Sequence, residues 1–334
     1  MKLLEEFLNS KPLFYKKFDP NRIKEAYLLI KDKIKKPTTI QVIGTNGKGS
    51  TSRALAYLLY KNKKRVGHFS SPHIFHFRER FWIDNRFATD DELNRAHQKL
   101  LALLGEEVAK ELSYFEYQTL LALILFEDLD YIVLEAGLGG EFDATSVAKR
   151  DLTLFTNIGF DHKEFLGDSI EKIATSKLKA MSEVAAIGIQ KYNIVYEIAS
   201  KIAKEKGVKL FFLKDWDKKE IISQEIKTIM NNPPSFLIDN ISLAILGAKI
   251  LNESVDLSSL KDLKLFGRLF KISKNIYIDV GHNPLAAEEI VKNLDKEVVL
   301  IYNALEDKEI KRVLEILKPK IKRVEIIHNS FNFL

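Results

Sequence analysis

The sequence predicts an α/β protein: a mostly parallel, doubly wound sheet that carries a phosphate loop (P-loop) and is flanked by helices, then a smaller second α/β unit. Three observations predict it. Apolar runs of strand length alternate with runs of helical period along most of the 334 residues. A glycine-rich turn, Gly44-Thr45-Asn46-Gly47-Lys48-Gly49-Ser50-Thr51, separates the apolar run Thr39–Ile43 from an amphipathic one, Ser52 to Tyr60. After about Asp262 the strand–helix–strand order begins again.

Taken in order, Leu3–Leu8 and Asn21–Ile34 read as helices, the second entered after Asp19-Pro20. The strand Thr39–Ile43, the glycine turn and a helix follow. Val66–Ser70 is a short strand, and Thr89–Leu104 a helix with Asp90, Asp91 and Glu92 in its first turn, where the helix dipole favours acids. Tyr114–Phe126 reads as a buried helix and Asp130–Glu135 as a buried parallel strand. Leu152–Ile158 is a strand, Ile170–Met181 a helix, and Val184–Ile189 and Val208–Leu213 are strands. Asn231-Asn232-Pro233-Pro234 is a turn cluster, after which Asp239 or Asn240 is expected to cap a helix running through Ile250. The boundary between units is placed at Asn252–Asp262, giving residues 1–255 and 262–334. In the second unit Lys264–Ser273 and Lys274–Asp279 can pair around Ser273-Lys274-Asn275. Pro284–Leu294, Val298–Tyr302, Lys308–Leu317 and Arg323–His328 then read helix, strand, helix, strand, with Pro284 at a first helical position.

Composition narrows the function. Apolar residues make up 46% and charged residues 29%, as in an ordinary soluble protein. The absence of cysteine excludes structural disulfides and thiolate zinc sites and makes the cytoplasm the expected compartment. Met1–Glu6 lacks the apolar core of a signal peptide, and the longest apolar run, Thr119 to Phe126, is too short to span a bilayer, so no membrane is expected. The net charge of +6 comes from lysines scattered among glutamates, without a basic aromatic recognition motif; no nucleic acid is expected, and an anionic small substrate or plain lysine usage explains the charge.

The glycine turn carries most of the chemistry. Its amides can turn inward around an anion, the new helix points its positive end at the same place, and Lys48 adds a mobile charge for the outer phosphates. The spacing is the general phosphate-loop pattern with Gly49 inserted between the lysine and Ser50. A structural corner between strand and helix needs neither the lysine nor the hydroxyls, so ATP is the expected ligand. Glu135 ends an apolar strand directly before Ala136-Gly137-Leu138-Gly139-Gly140. A strand-terminal glutamate can simply face solvent, but the tight glycine loop favours a carboxylate that holds Mg²⁺ against phosphates. Asp161-His162 closes the strand before it; such a pair is usually a surface contact, and becomes a metal candidate only beside a nucleotide. Lys177 ends a stripe of Ile170, Ile173 and Ala174 on one helix face. Spacing alone leaves open whether it snorkels to solvent or points at a phosphate or metal. In the second unit Asp279 ends a strand and His282-Asn283 precede a helix, where simple capping by Asn283 competes with a ligand role; Gly267-Arg268 could bring a permanent cation to a nucleotide.

Taken together, in order from Thr39 to about Lys308, these motifs resemble the folylpolyglutamate synthase and dihydrofolate synthase family of the Mur ligase superfamily. The segments are Val42–Ser50, Ser70-Ser71-Pro72-His73, Glu79-Arg80, Leu134–Thr145, Asp161-His162, Leu166-Gly167, Asn240, Gly267-Arg268, Asp279–Pro284 and Asn303–Lys308. The resemblance implies a central ATPase domain joined to a smaller Rossmann-like C-terminal domain. It also implies a ligase that activates a carboxylate as an acyl phosphate, which the amino group of L-glutamate attacks. Dihydropteroate or folate, L-glutamate and ATP are the implied substrates, with Mg²⁺; a monovalent cation is left open, and a monomer is expected. Carried onto this chain, Gly44, Thr45, Asn46, Gly47, Lys48, Gly49, Ser50 and Thr51 hold ATP phosphates, and Asn240, Arg268, Asp279 and His282 contact nucleotide. Ser71, Glu135 and His162 match metal ligands. Lys177 falls where the family carries a carbamylated lysine that helps place a second metal, and Lys48, Lys177 and His282 form the catalytic set. Ser71, Pro72, His73, Phe75 and Arg80 lie in the pterin-side loop.

Departures from the family pattern are local. The chain reads Ser176-Lys177-Leu178-Lys179-Ala180 where Glu-Lys-Ala-Gly is usual, which makes Lys179 a competing candidate. The second unit ends soon after Arg323–His328, so its sheet is expected to be small, whether through a compact build or an incomplete domain. Two other readings are weighed. A UDP-muramyl amino-acid ligase normally lacks the inserted Gly49, and a P-loop regulatory module leaves the Asp279–Pro284 motif without a purpose.

Overall fold

The computed structural model describes residues 3–11, 19–161, 163–304 and 309–327. Twelve strands are described: β1 Thr38–Ile43, β2 Val66–Phe69, β3 Phe81–Ile83, β4 Arg86–Phe87, β5 Tyr131–Glu135, β6 Leu152–Phe155, β7 Val184–Ile187, β8 Lys209–Phe212, β9 Phe270–Ser273, β10 Ile276–Ile278, β11 Val298–Tyr302 and β12 Ile321–Ile326. The first eight form one sheet in the order β4-β3-β2-β5-β1-β6-β7-β8. From β2 to β8 every neighbour pairs in parallel, and only the edge pairs β2–β3 and β3–β4 run antiparallel. The expected doubly wound α/β sheet is therefore present, with an antiparallel edge hairpin that the apolar pattern did not announce.

Alternation along each strand explains why both faces are covered. Ile40 and Val42 of β1, Leu152 and Leu154 of β6 and Val133 of β5 point to one face, where the helices Lys48–Lys61 and Ser235–Ile250 pack. Ile43, Phe155 and Ile187 point to the other, under the helices Ile170–Leu178 and Ile194–Lys206. On that second face Ile132, Leu134 and Phe69 instead meet Asp90–Leu104 and Tyr114–Leu125. Each fully buried side chain of this size contributes about 1.5–3 kcal/mol, which is what holds eight strands in one register.

Helix starts follow local chemistry. Thr89 and Ser113 accept from the amides of Glu92 and Glu116, whose carboxylates reach back to the cap amides. Asp19 caps a helix that begins with Pro20. One expectation is corrected here. Neither Asp239 nor Asn240 is a cap: the helix begins at Ser235, directly after Pro234, so both lie in its second turn. Proline ends the preceding turn without needing a hydrogen-bond donor, and the two polar side chains line a cavity instead. The helices Glu106–Glu111, Ile194–Lys206 and Lys219–Ile229 add to those expected.

The second unit is small. β9 and β10 form an antiparallel pair, β11 and β12 a parallel pair, and the helices Pro284–Asn293 and Ile310–Leu317 pack Ala287, Val313 and Leu317 between them. The short turn Leu257–Asp262 ahead of it places Leu260 and Leu263 in the core of the first unit.

Candidate active site

The carboxyl ends of β1, β5 and β6 lie side by side, and open parallel sheets bind ligands there. Gly44 follows β1, Glu135 ends β5, and Thr156-Asn157 follow β6. The phosphate loop is held to its neighbour: Thr45 and Asn46 amides donate to the Asn157 carbonyl at 3.0 and 3.2 Å, and Thr45 Oγ1 donates to the Gly159 carbonyl at 3.0 Å. Among the described residues no side chain caps the helix Lys48–Lys61, whose first turn therefore offers its amides to the space above. Gly47, at φ 89°, occupies the left-handed region before it, and a Cβ there would meet Asn240 Oδ1 at 2.4 Å. Asn240 thus rests on the loop itself, which is why a polar residue stands inside that helix.

A cavity of about 580 Å³ opens over this loop. Its walls bring together Thr45 to Ser50, Ser71, Pro72, Glu135, Asn240, Arg268, Asp279 and His282. A Cβ on Gly49 would lie 3.4 Å from Glu135 Oε2 and 3.5 Å from Arg268 Nη2, so a carboxylate of the first unit and a guanidinium from beside the second converge at the loop. Lys48 Nζ donates to the Gly44 and Thr45 carbonyls at 3.2 and 3.1 Å. Burial pulls Lys48 below its ordinary value and pushes Glu135 above its own, each partly offset by the other. Glu135 accepts only weakly from the Ser71 amide, at 3.4 Å. Ser50 Oγ and Thr51 Oγ1 are buried with no hydrogen-bond partner among the described residues.

The second unit contributes a rigid corner. Asp279 accepts from the Leu269 and Gly281 amides at 2.7 and 2.6 Å, and burial still pushes its carboxyl upward. His282 Nε2 stands 3.7 Å from Asp161 Oδ2. Asn283 caps the helix Pro284–Asn293 through the Ala286 amide at 2.9 Å. Its carboxamide also pairs with that of Asn46 at 2.9 and 3.0 Å and donates to Asp161 at 3.3 Å. A capping residue thereby becomes a pin between the units; its sequence context signalled only the cap.

The remaining expected residues that the structure describes lie outside the cavity wall. Gly44 packs against Thr156, and Thr51 is buried beneath the loop. Lys177 is buried, donates to the Leu138 carbonyl at 3.0 Å, and is pulled down to about 7 by burial and then by Lys48. Lys179 is exposed, so only Lys177 faces the interior. His162 and Leu305–Lys308 lie outside the described residues. In the loop after β2, Glu79 accepts from the amides of Ile74, Phe75 and His76. Arg80 is buried, donating to His73 Nδ1 and to Gln118 Oε1, both at 3.0 Å. Phe75 is 65% exposed, with its ring 5.2 Å from Phe266 just before Arg268.

A phosphate loop at the end of a parallel sheet, faced across a cleft by polar side chains of a second unit, defines a two-unit nucleotide-dependent enzyme. Comparison with known proteins agrees. The family described as the Mur ligase middle domain matches residues 42–231. A dihydrofolate synthase/folylpolyglutamate synthase of Haemophilus influenzae is 31% identical, over 85% of this chain and 73% of its own. The crystal structure of Helicobacter pylori folylpolyglutamate synthetase has a TM-score of 0.77 at 40% identity, covering 98% of this chain and 84% of that one. The bifunctional Yersinia pestis enzyme, complexed with AMPPNP and Mn ion, has a TM-score of 0.80 at 26% identity, covering 96% and 82%. The chain belongs to the dihydrofolate synthase/folylpolyglutamate synthase family of the Mur ligase superfamily.

Proposed function

We propose that this chain is an ATP-dependent ligase that joins L-glutamate to the carboxylate of dihydropteroate or of a folate. The observation that supports this most is the convergence of Glu135 and Arg268 on the phosphate loop, with Asp279 and His282 in the same wall. A substrate carboxylate oxygen attacks the γ-phosphorus, ADP leaves, and the resulting acyl phosphate is attacked at carbon by the glutamate amine. The amine loses its proton, and phosphate leaves from the tetrahedral intermediate.

The chain's residues act mainly by holding charge in place. Lys48, now on loop carbonyls, turns its ammonium to the phosphates, while the amides of the helix start hold the inner ones. Arg268 and His282 neutralise charge from the opposite wall, and Asp161 orients the imidazole. Among the described residues no three His, Cys, Asp or Glu side chains gather as metal ligands. The donor set nevertheless suits Mg²⁺, which takes one or two carboxylates and fills its shell with phosphate oxygens and water. Glu135, buried and short of donors, would hold it with Ser71 and His162, and the ion would supply charge neutralisation for phosphoryl transfer. Lys177 adds CO₂ in this reading. Its burial favours the neutral amine that performs that addition, and the carbamate turns a cation into an oxygen ligand. Lys177→Ala should then lose activity, and a short carboxylic acid should partly restore it.

Among the described residues no helix is long and apolar enough to cross a membrane. A monomer acting in the cytoplasm completes the reading, and light scattering of the purified chain checks the oligomeric state. ADP release measured in parallel with dihydropteroate, tetrahydrofolate and a UDP-muramyl peptide tests the activity. Release that needs a pteroate and L-glutamate together is expected; release with the muramyl peptide alone would replace this reading.

A further inference from the structure

Behind the phosphate loop the helix Lys48–Lys61 makes a polar contact with the sheet that no ligand role explains. Ser52 stands one turn past Lys48 and is fully buried. Its Oγ donates to the Lys48 carbonyl at 2.8 Å and weakly to the Gly49 carbonyl at 3.3 Å. A hydroxyl has one proton, so toward any further group Ser52 can only accept. That group is His68 of β2, 1% exposed, whose Nε2 lies 2.8 Å from Ser52 Oγ. The ring therefore carries its hydrogen on Nε2 and leaves Nδ1 bare. Burial and the Arg53 guanidinium pull the imidazole well below its ordinary value, which keeps it neutral. Nδ1 is buried without a hydrogen-bond partner among the described residues. In the strand register His68 stands between Trp82 of β3 and Val133 of β5, where an aliphatic side chain would leave no polar atom unmet. A polar ring in this place is costly unless its single bond matters.

We propose that His68 is a positioning residue for the phosphate loop, fixing through Ser52 the Lys48 carbonyl and with it the direction of the first-turn amides. This rests on the reading that those amides hold the phosphates of ATP. The chain of bonds runs from His68 Nε2–H to Ser52 Oγ, and from the Ser52 hydroxyl to the Lys48 carbonyl. A serine that bonds back to the carbonyl four residues earlier bends the helix locally, so the peptide planes of the first turn tilt together. A hydroxyl free of other partners rotates among acceptors, and the fixed imidazole holds this one in a single rotamer. Three residues beyond His68 lies Ser71, whose amide meets Glu135, so one strand anchors both the phosphate turn and the carboxylate side of the cleft. His68 itself lies outside the cavity wall and acts only through Ser52.

Titration calorimetry with ATP and Mg²⁺ tests this on the full chain as wild type, His68→Leu, Ser52→Ala, the double variant and His68→Gln. His68→Leu and Ser52→Ala should each weaken ATP binding roughly fivefold to tenfold, the scale of one buried hydrogen bond. Both break the same chain, so the double variant should bind no more weakly than the weaker single one. His68→Gln, whose amide nitrogen reaches as far as Nε2 and also donates, should stay within about twofold of the wild type. A ring that only fills space would give the reverse order, with leucine tolerated and glutamine not. Nitrogen NMR of the wild type at neutral pH adds a check that needs no variant: His68 should carry its proton on Nε2. Wild-type affinity in Ser52→Ala or in a folded His68→Leu, losses that multiply in the double variant, or a proton on Nδ1 overturns the positioning role and leaves the ligase reading standing. No saturable ATP binding by the wild type would overturn both.

Discussion

The two units of this molecule are built on different terms. In the large sheet, the side chains of β1, β5 and β6 that pack against the flanking helices are shielded from water, and Ile40, Val42, Leu152 and Leu154 are fully buried. In the second unit Ile301 of β11 and Ile326 of β12 are 64% and 70% exposed, and the described core between its two helices consists of Ala287, Val313 and Leu317. The large unit is a scaffold held by apolar area. The smaller one is attached to it through the apolar contacts of Leu285 with Gly159 and of Phe266 with Phe75, and through a set of polar links: Asn283 to Asn46 and Asp161, Lys191 to Glu288, and Ser235 to Asn293. The rigid part carries the phosphate loop and Glu135, while the part held by polar pins brings Asp279 and His282. Polar contacts of this kind are typical where two units move relative to one another, as a cleft that loads and releases nucleotide requires.

The largest test of this contrast is chemical. Lys48→Ala should lower turnover roughly 10²–10³-fold, because the lysine lines the cavity over the phosphate loop and stabilises charge that develops in the transition state. The thermal melt should stay near that of the wild type, since among the described residues Lys48 hydrogen-bonds only to the loop's own carbonyls. Near-normal ADP release from a folded Lys48→Ala protein would mean that the scaffold does not carry the chemistry.

Next comes the scaffold itself. Leu154→Ala removes a fully buried side chain of β6 and should cost about 2–5 kcal/mol in denaturant unfolding. A loss below about 1 kcal/mol would show that the sheet is not the stable body described here.

Asn283→Ala separates the two roles of one residue. Losing the cap should cost about 1 kcal/mol, seen in the melt of the second unit. The pairing with Asn46 disappears as well, so kcat/KM for ATP should fall more than stability alone accounts for. Asn283→Asp keeps an acceptor for the Ala286 amide but cannot donate to Asp161, so it should restore the melt and leave kcat/KM low. Full recovery of both would reduce Asn283 to a cap.

The smallest effect is expected at Ile301→Ser, within about 0.5 kcal/mol, because that side chain is already mostly in water. A loss comparable to that of Leu154→Ala would show that the exposed face of β11 and β12 is covered in solution, which a concentration series of the melt would reveal.

Much of this was legible before any coordinates. Strand and helix periods, proline and aspartate at helix starts, and the glycine turn each act within a few residues of chain, so sequence alone determined the parallel sheet, the phosphate loop and the strand-end position of Glu135. The family resemblance carried Asn240, Arg268, Asp279 and His282 into the same cleft. Other features were decided only by tertiary packing. Asp239 or Asn240 read as a cap, yet both stand inside a helix, Asn240 resting on Gly47 and Asp239 lining the cavity. The destination of Lys177 was open between solvent and interior; the close packing of the Gly140 loop on its helix settled it as buried. Asn283 looked like a cap, and its partners, Asn46 and Asp161, lie more than a hundred residues away in the chain. Local pattern fixes what a segment becomes, because backbone propensity and capping are short-ranged. Which side chains share a cleft depends on how the segments are stacked, and a desolvated partner contributed by a distant strand leaves no trace in the spacing of residues.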